Sequence, residues 1–309
     1  MERKERKIQL YQERNFTAKF DDTFAYLRQN WRVLLKYITY LLLPVSLVQG
    51  LAFNGYMDGA MSMSAAGASD DMDAILQLAM SMGGLALTSI VGALLLWSVV
   101  YALYHLYLKR EDGLADITGE ELRPRLLFCL KRLLLSMLFF MVLMVVVIAV
   151  MGGLMALVSP WLAGPLVIAL LVVAVPLALF SPAYLLEDDI TLFEALQKSL
   201  RLGFAHWWGT LAISLVMGLI VSFAQGLFTT PYYIAIFVKA FLGMQQSGNA
   251  LADSAVYSFL LYLLSVVQSF ATYVLSTLIA MSLALQYGHA AETEDQVSMQ
   301  GNIDRFEEL

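Results

Sequence analysis

Few side chains in this chain are of a type that does chemistry. His105, His206 and His289 each sit near the edge of a long apolar run, all on the same side of the expected membrane. Three imidazoles at one depth have the right chemistry for a metal site or for titration near neutral pH. The simpler reading makes each an amphipathic side chain at the lipid headgroup level, like Tyr104 or Trp207. Glu187, Asp188 and Asp189 form an acidic run, and hard cations bind such oxygen clusters. A solvated turn leading into a helix explains the same residues. Asp70, Asp71 and Asp73 lack calcium-loop spacing, and the single cysteine, Cys129, excludes an intramolecular disulfide and a cysteine-based metal site. Paired carboxylates, or a nucleophile beside a base, are not legible. The sequence therefore predicts no catalytic, metal or cofactor-binding residues and no enzyme.

The elements around these residues belong to a membrane protein. The 309 residues are 60% hydrophobic and only 14% charged. Their mean hydropathy is +0.70. A soluble domain carries about 25% charged residues, so the bilayer must be the solvent for this much apolar surface. The net charge of −6 argues against nucleic acid as a partner. Apolar stretches long enough to span fall at about 33–54, 75–108, 133–158, 162–186, 207–229 and 256–288. The expected architecture is an all-α integral membrane fold of six transmembrane helices. A charged N-terminus (1–15) precedes the membrane domain (16–288), and an acidic, disordered tail (289–309) follows it. No cleavable signal is expected at the start.

Basic residues orient the chain, because Lys and Arg beside spans are retained in the cytoplasm. With both ends inside, every Lys and Arg but Lys239 falls on the cytoplasmic side. This is the layout of a bacterial inner-membrane protein. On the outer side, the apolar patch Tyr232 to Met244 is too short to span. It is expected to lie on the interface, dip inward or contact protein.

Three cytoplasmic segments have helical amphipathic spacing. Phe16, Phe20, Phe24, Leu27, Trp31 and Leu34 mark one face before the first span. Phe193, Leu196, Leu200, Phe204 and Trp207 mark another before the fifth, opened by a capping box of Thr191 and Glu194. Leu122, Leu126, Leu130 and Leu133 mark a third, which Pro124 should kink or restart. The chain thus reads as three copies of interfacial helix plus transmembrane hairpin, and aligning Trp31 with Trp207 places Thr23 on Ser199. Helices lying in an interface would give the same spacing without common ancestry. The residues assigned to the membrane interface are Trp31, Arg32, Lys131, Arg132, His206, Trp207 and Trp208. Membrane lipids are expected partners, although carboxylates dilute the basic charge.

The stretch Ser181-Pro182-Ala183-Tyr184-Leu185-Leu186-Glu187, with Glu194-Ala195-Leu196, Ser199, Leu202 and Trp207-Trp208, resembles a bacterial six-helix family. That family is labelled "glycerophosphoryl diester phosphodiesterase membrane domain". The resemblance implies the membrane unit alone, because the phosphodiesterase barrel of its fused members needs some 250 further residues. Function is then expected to be that of a non-enzymatic scaffold or membrane subunit of a larger assembly, with other membrane or cytoplasmic proteins as partners. The alternative is a transporter or channel for a neutral or lipidic substrate, with Gln225, Gln268, Pro176 and Pro182 lining its path. A membrane-bound lipid enzyme is third, and requires a dyad assembled from distant loops.

Overall fold

A computed structural model describes residues 7–66, 72–157, 159, 161, 163–244 and 254–298. All its elements are helices: α1 (Phe16–Ala66), α2 (Met72–Lys109), α3 (Gly119–Leu157), α4 (Ala163–Leu177), α5 (Phe180–Leu186), α6 (Leu192–Ala205), α7 (Trp207–Met244) and α8 (Ala255–Asp295). Six stretches are long and apolar enough to cross a membrane, α4 and α5 together counting as one. The protein is an all-helical, multi-pass membrane protein. Its residues cluster into two compact units. The first holds Met1–Leu34, Ser98–Gly218 and Leu278–Leu309, and the second Leu35–Trp97 and Leu219–Thr277.

Two of the expected interfacial helices are continuous with their spans. Asn15 caps α1 through a bond from Ala18 N–H to its Oδ1 (2.8 Å), and the helix then runs unbroken into the first span. α3 runs on through Pro124 without the expected alternative of a restart. The carbonyl that proline leaves without its helical donor belongs to Glu120 in the exposed first turn. Only α6 stands as a separate helix. Its capping box is present, and the chain breaks at His206 before α7.

The marked faces of α1 and α6 are turned largely outward, although Leu34 is buried, whereas in α3 Leu122 and Leu133 of the marked face are buried. Phe16, Phe24 and Trp31 of α1 are exposed, whereas Lys19, Thr23, Tyr26 and Asn30 are buried in the first unit. In α6, Phe193 and Phe204 face out, and Ala195, Ser199, Leu202 and Gly203 face in. An apolar stripe loses nothing by facing lipid, so small and hydrogen-bonding residues take the protein side. Thr23 and Ser199, paired by the repeat alignment, are both fully buried.

In the fourth span, α4 ends at Leu177 and α5 begins at Phe180. Pro176 has no N–H for the Val172 carbonyl four residues back. The Trp207 indole N–H donates to that same carbonyl at 3.0 Å. Gly203 lies so close to Pro176 that an added Cβ would meet its Cα. Pro182 falls in the first turn of α5, where a missing N–H costs nothing.

The second unit is tied by polar bonds between apolar helices. Gln49 donates to Ser89 Oγ (2.9 Å) and accepts from the Tyr273 hydroxyl (2.7 Å). Tyr232, fully buried, donates to Asn54 Oδ1 at 2.9 Å. The patch from Tyr232 to Met244 does not form a separate element. It is the continuation of α7 through Pro231. Tyr232 and Ile236 pack there with Leu261, Phe53 and Met57, and Lys239 bonds Asp58 at 2.8 Å. At 1.5 Å per residue α7 is about 57 Å long, so it outruns a hydrocarbon core of about 30 Å.

The Gly203 contact is with backbone, which does not yield. Gly203→Ala should lower stability by about 1–3 kcal/mol as an overpacked contact, read as a lower melting temperature in detergent. Gly218 has open space around it. There alanine should raise the melting temperature, because it is the better helix former.

Candidate functional site

The polar side chains of the first unit gather around one short turn, Glu187 to Thr191, between α5 and α6. A helix end leaves carbonyls without partners, and beside a bilayer water does not reliably supply them. Here α3 does. One Arg132 nitrogen donates to the carbonyls of Tyr184 (2.6 Å) and Glu187, and the other to those of Asp188 and Ile190 (3.1 Å). Arg125 donates to the Leu185 carbonyl at 2.7 Å. The Arg132 guanidinium also lies 4.4 Å from the Phe128 ring centre and 4.8 Å from that of Tyr184. A planar fork with five donors can do this, and an ammonium cannot.

Asp188 and Asp189 of the acidic run are exposed, as in a solvated turn, but Glu187 and Asp188 are also paired. Asp188 pairs with Arg125 and with Lys109 (3.1 Å), and lies 3.8 Å from His105 Nε2. Glu187 accepts from Lys198 (2.6 Å), Tyr11 (3.3 Å) and Tyr287. Burial opposes ionisation of Asp188. The hydrogen bonds from Arg125 and Lys109 outweigh it and hold the carboxyl below the usual carboxylate range. Burial, with Glu187 beside it, pushes the Tyr11 hydroxyl well up.

The N-terminal segment, expected as a charged extension over 1–15, is packed from residue 7 onward. Lys7 caps the end of α2, donating to the carbonyls of Leu108 (2.9 Å) and Arg110 (2.7 Å). The Ile8 N–H donates to the Tyr107 hydroxyl (2.9 Å). Leu10 passes Gly288 so closely that no side chain fits there. Arg14, buried, bonds Asp22 (2.7 Å) and the carbonyls of Gln9, Leu10 and Gln12. Its own N–H donates to His289 Nδ1 at 3.1 Å. Isolated charged letters in the sequence hid this, because each is a cap or a clamp with a distant partner.

The tail also starts later than expected. α8 runs to Asp295, which takes a two-pronged bond from Arg201 (2.7 and 2.8 Å). Residues 299–309, with Ile303, Phe306 and Leu309, lie outside the described residues, as do Asp70 and Asp71.

The other predicted site residues fall as follows. Trp31 is exposed, with the Arg32 guanidinium 5.5 Å from its ring centre, and Lys131 is exposed. Trp207 and Trp208 stand nearly perpendicular at 4.7 Å, Trp208 outermost. The three histidines do not converge. His206 and His289 rings are 5.3 Å apart, His206 Nε2 lies 3.3 Å from Glu294 Oε1 without hydrogen-bond geometry, and His105 faces Asp188. Among the described residues no three His, Cys, Asp or Glu side chains could hold a metal. Of the suggested pathway residues, buried Pro176 and Pro182 serve helix packing in the first unit. Gln225 and Gln268 belong to the second unit. Gln225 is half-buried, and Gln268 keeps a buried Oε1 without a hydrogen-bond partner.

A buried feature missed by sequence reading is the line from Lys19 Nζ to Gln286 Oε1 (2.7 Å), and from Gln286 Nε2 to Thr210 Oγ1 (3.0 Å). The first unit also opens two clefts. One, of about 500 Å³, lies between Asn30, Tyr107 and the loop Arg110 to Asp116. The other, of about 460 Å³, lies between the N-terminal segment and the ends of α2 and α5. Comparison with family models, curated proteins and solved structures found no match.

Arg132→Lys should lower stability by about 3 kcal/mol, since one ammonium cannot serve four carbonyls; the midpoint of thermal unfolding checks this. The Asp188 carboxyl has a folded-state pKa below its unfolded value. Its contribution is complete above about pH 4 and is lost as pH falls through the folded value. The loss of melting temperature below pH 4 should therefore be shallower in Asp188→Asn than in the native protein.

Proposed function

We propose that this protein is a non-enzymatic membrane scaffold, or the membrane subunit of a larger assembly, in the bacterial inner membrane. Its charged end faces the cytoplasm, and both termini lie there. The observation that carries the reading is how the charged end spends its polar groups. Arg125, Arg132, Lys7, Lys198 and Arg201 hold helix ends, turns and the N-terminal segment together. Such a densely bonded network supports the reading of a rigid platform. The cytoplasmic placement is supported by the distribution of basic residues. The resemblance to the six-helix membrane family and the threefold arrangement of amphipathic helix plus hairpin belong to the same proposal.

One observation favours the transport alternative. The Gln268 Oε1, buried and unpartnered, is the kind of group a neutral polar substrate would satisfy. A lipid enzyme has less support. His105 of α2 and Asp188 of the turn after α5 do meet from distant parts of the chain, but at 3.8 Å, with the Asp188 oxygens already taken by Arg125 and Lys109.

Mild-detergent purification from the native membrane, followed by mass spectrometry, separates the readings. Reproducible protein partners are expected. Recovery of the chain alone with one bound solute, and uptake of that solute into proteoliposomes, would replace the scaffold with a transporter.

A further inference from the structure

By count, carboxylates offset the basic residues of the charged segments, but the first unit does not spread them evenly. Asp22 is taken by Arg14, Glu121 by Arg110, Asp188 by Arg125 and Lys109, Glu187 by Lys198, and Asp295 by Arg201. Lys7, Lys19 and Arg132 spend donors on carbonyl and amide oxygens. Among the described residues of this unit, Arg28, Arg32, Arg123 and Lys131 are left without a hydrogen bond or an ion pair. Arg28 and Arg32 stand one turn apart on the exposed side of α1, with Trp31, 53% exposed, between them. The Arg32 guanidinium lies 5.5 Å from the Trp31 ring centre, a contact that steadies a guanidinium at an exposed position.

The helix itself sets the depth of this pair. Lys36 is the last charged residue before the apolar run, and the large exposed side chains from there to Leu51 are Tyr40, Leu43, Leu47, Val48 and Leu51. Hydrocarbon therefore begins just past Arg32, which puts both arginines at the level of the headgroups, where tryptophan also belongs. We propose that Arg28 and Arg32, with Trp31 between them, bind the phosphate of an anionic phospholipid and prefer it to a zwitterionic one. Residues four apart on a helix have Cβ atoms about 5–6 Å apart, so two guanidinium forks can close on one phosphate. The nearest exposed carboxylate on that face of α1 is Asp21, seven residues and about 10 Å back along the helix. A headgroup ammonium would thus meet two cations and no carboxylate of α1. Exposed Trp31 and the apolar face beyond it continue the site along acyl chains, which selects a lipid over free phosphate. α3 offers no such pair: Arg123 follows Glu120 by three residues, where the charges offset, and Lys131 lies eight residues on, past exposed Leu127. The inference needs α1 to enter the bilayer near Lys36, and does not rest on the scaffold reading.

The test is a phosphatidylglycerol with a photoreactive diazirine near its headgroup, at trace level in phosphatidylcholine vesicles that hold the full chain. After irradiation and digestion, mass spectrometry should find the label concentrated on the peptide containing Trp31. Unlabelled phosphatidylglycerol should displace it several-fold more effectively than the same share of phosphatidylethanolamine. Arg28→Gln with Arg32→Gln should cut the label several-fold. Arg123→Gln with Lys131→Gln removes the same charge elsewhere in the unit and should leave the label unchanged. Raised salt on the unaltered chain is a second reading that needs no substitution, and it should lower the label by screening. Label spread evenly over the helix ends, equal displacement by the two lipids, equal loss in both double variants or indifference to salt would overturn the proposal. Displacement by millimolar inorganic phosphate would also overturn it, by making the site one for a free anion.

Discussion

A backbone carbonyl at a helix end near a bilayer must find a donor, and the first unit is organised around that requirement. Where α5 ends, Arg125 and Arg132 reach across from α3 and satisfy five carbonyls between Tyr184 and Ile190. Where α2 ends, Lys7 does the same for Leu108 and Arg110. Where Pro176 leaves the Val172 carbonyl without its helical donor, Trp207 supplies one. In each case a residue far away in sequence closes a local deficit, so satisfying the helix ends also fixes which helices are neighbours. The carboxylates of Glu187 and Asp188 then neutralise the cations that this solution brings together.

The same economy explains the inverted faces of α1 and α6. In water an amphipathic helix hides its apolar stripe, whereas against lipid that stripe is already in a suitable solvent. Burial then goes to residues that gain from protein neighbours: Thr23, Asn30 and Ser199, and Lys19 through Gln286. Trp31 and Phe204 are left to the bilayer. Tyr232, Asn54, Gln49 and Tyr273 follow the rule in the second unit, as hydrogen-bonding residues placed between apolar helices.

Much of the fold was legible because long apolar runs have one physical explanation. The six spans and the capping box at Thr191 follow from local chemistry. The direction of the amphipathic faces did not, since periodicity reports that a stripe exists and not what solvent it meets. The extension of α7 through Pro231 was hidden by a length rule that assumes a helix stops where the hydrocarbon does. The candidate site was less legible still. Arg132 was placed at the interface by its position beside a span, but its four carbonyl partners lie more than fifty residues away. The packing of residues 7–14 left no periodic signal, because an extended segment held by caps and clamps has none.

The central claim is that the turn after α5 is held by side chains of α3. It is tested most directly by a double-mutant cycle between Arg125 and Asp188, measured by unfolding in detergent. With Arg125→Gln, Asp188→Asn and the double variant, the account predicts a favourable coupling of at least about 1 kcal/mol, as for residues sharing one network. A coupling indistinguishable from zero would mean that the pairing of Arg125 with Asp188 does not hold the turn, and would contradict the account.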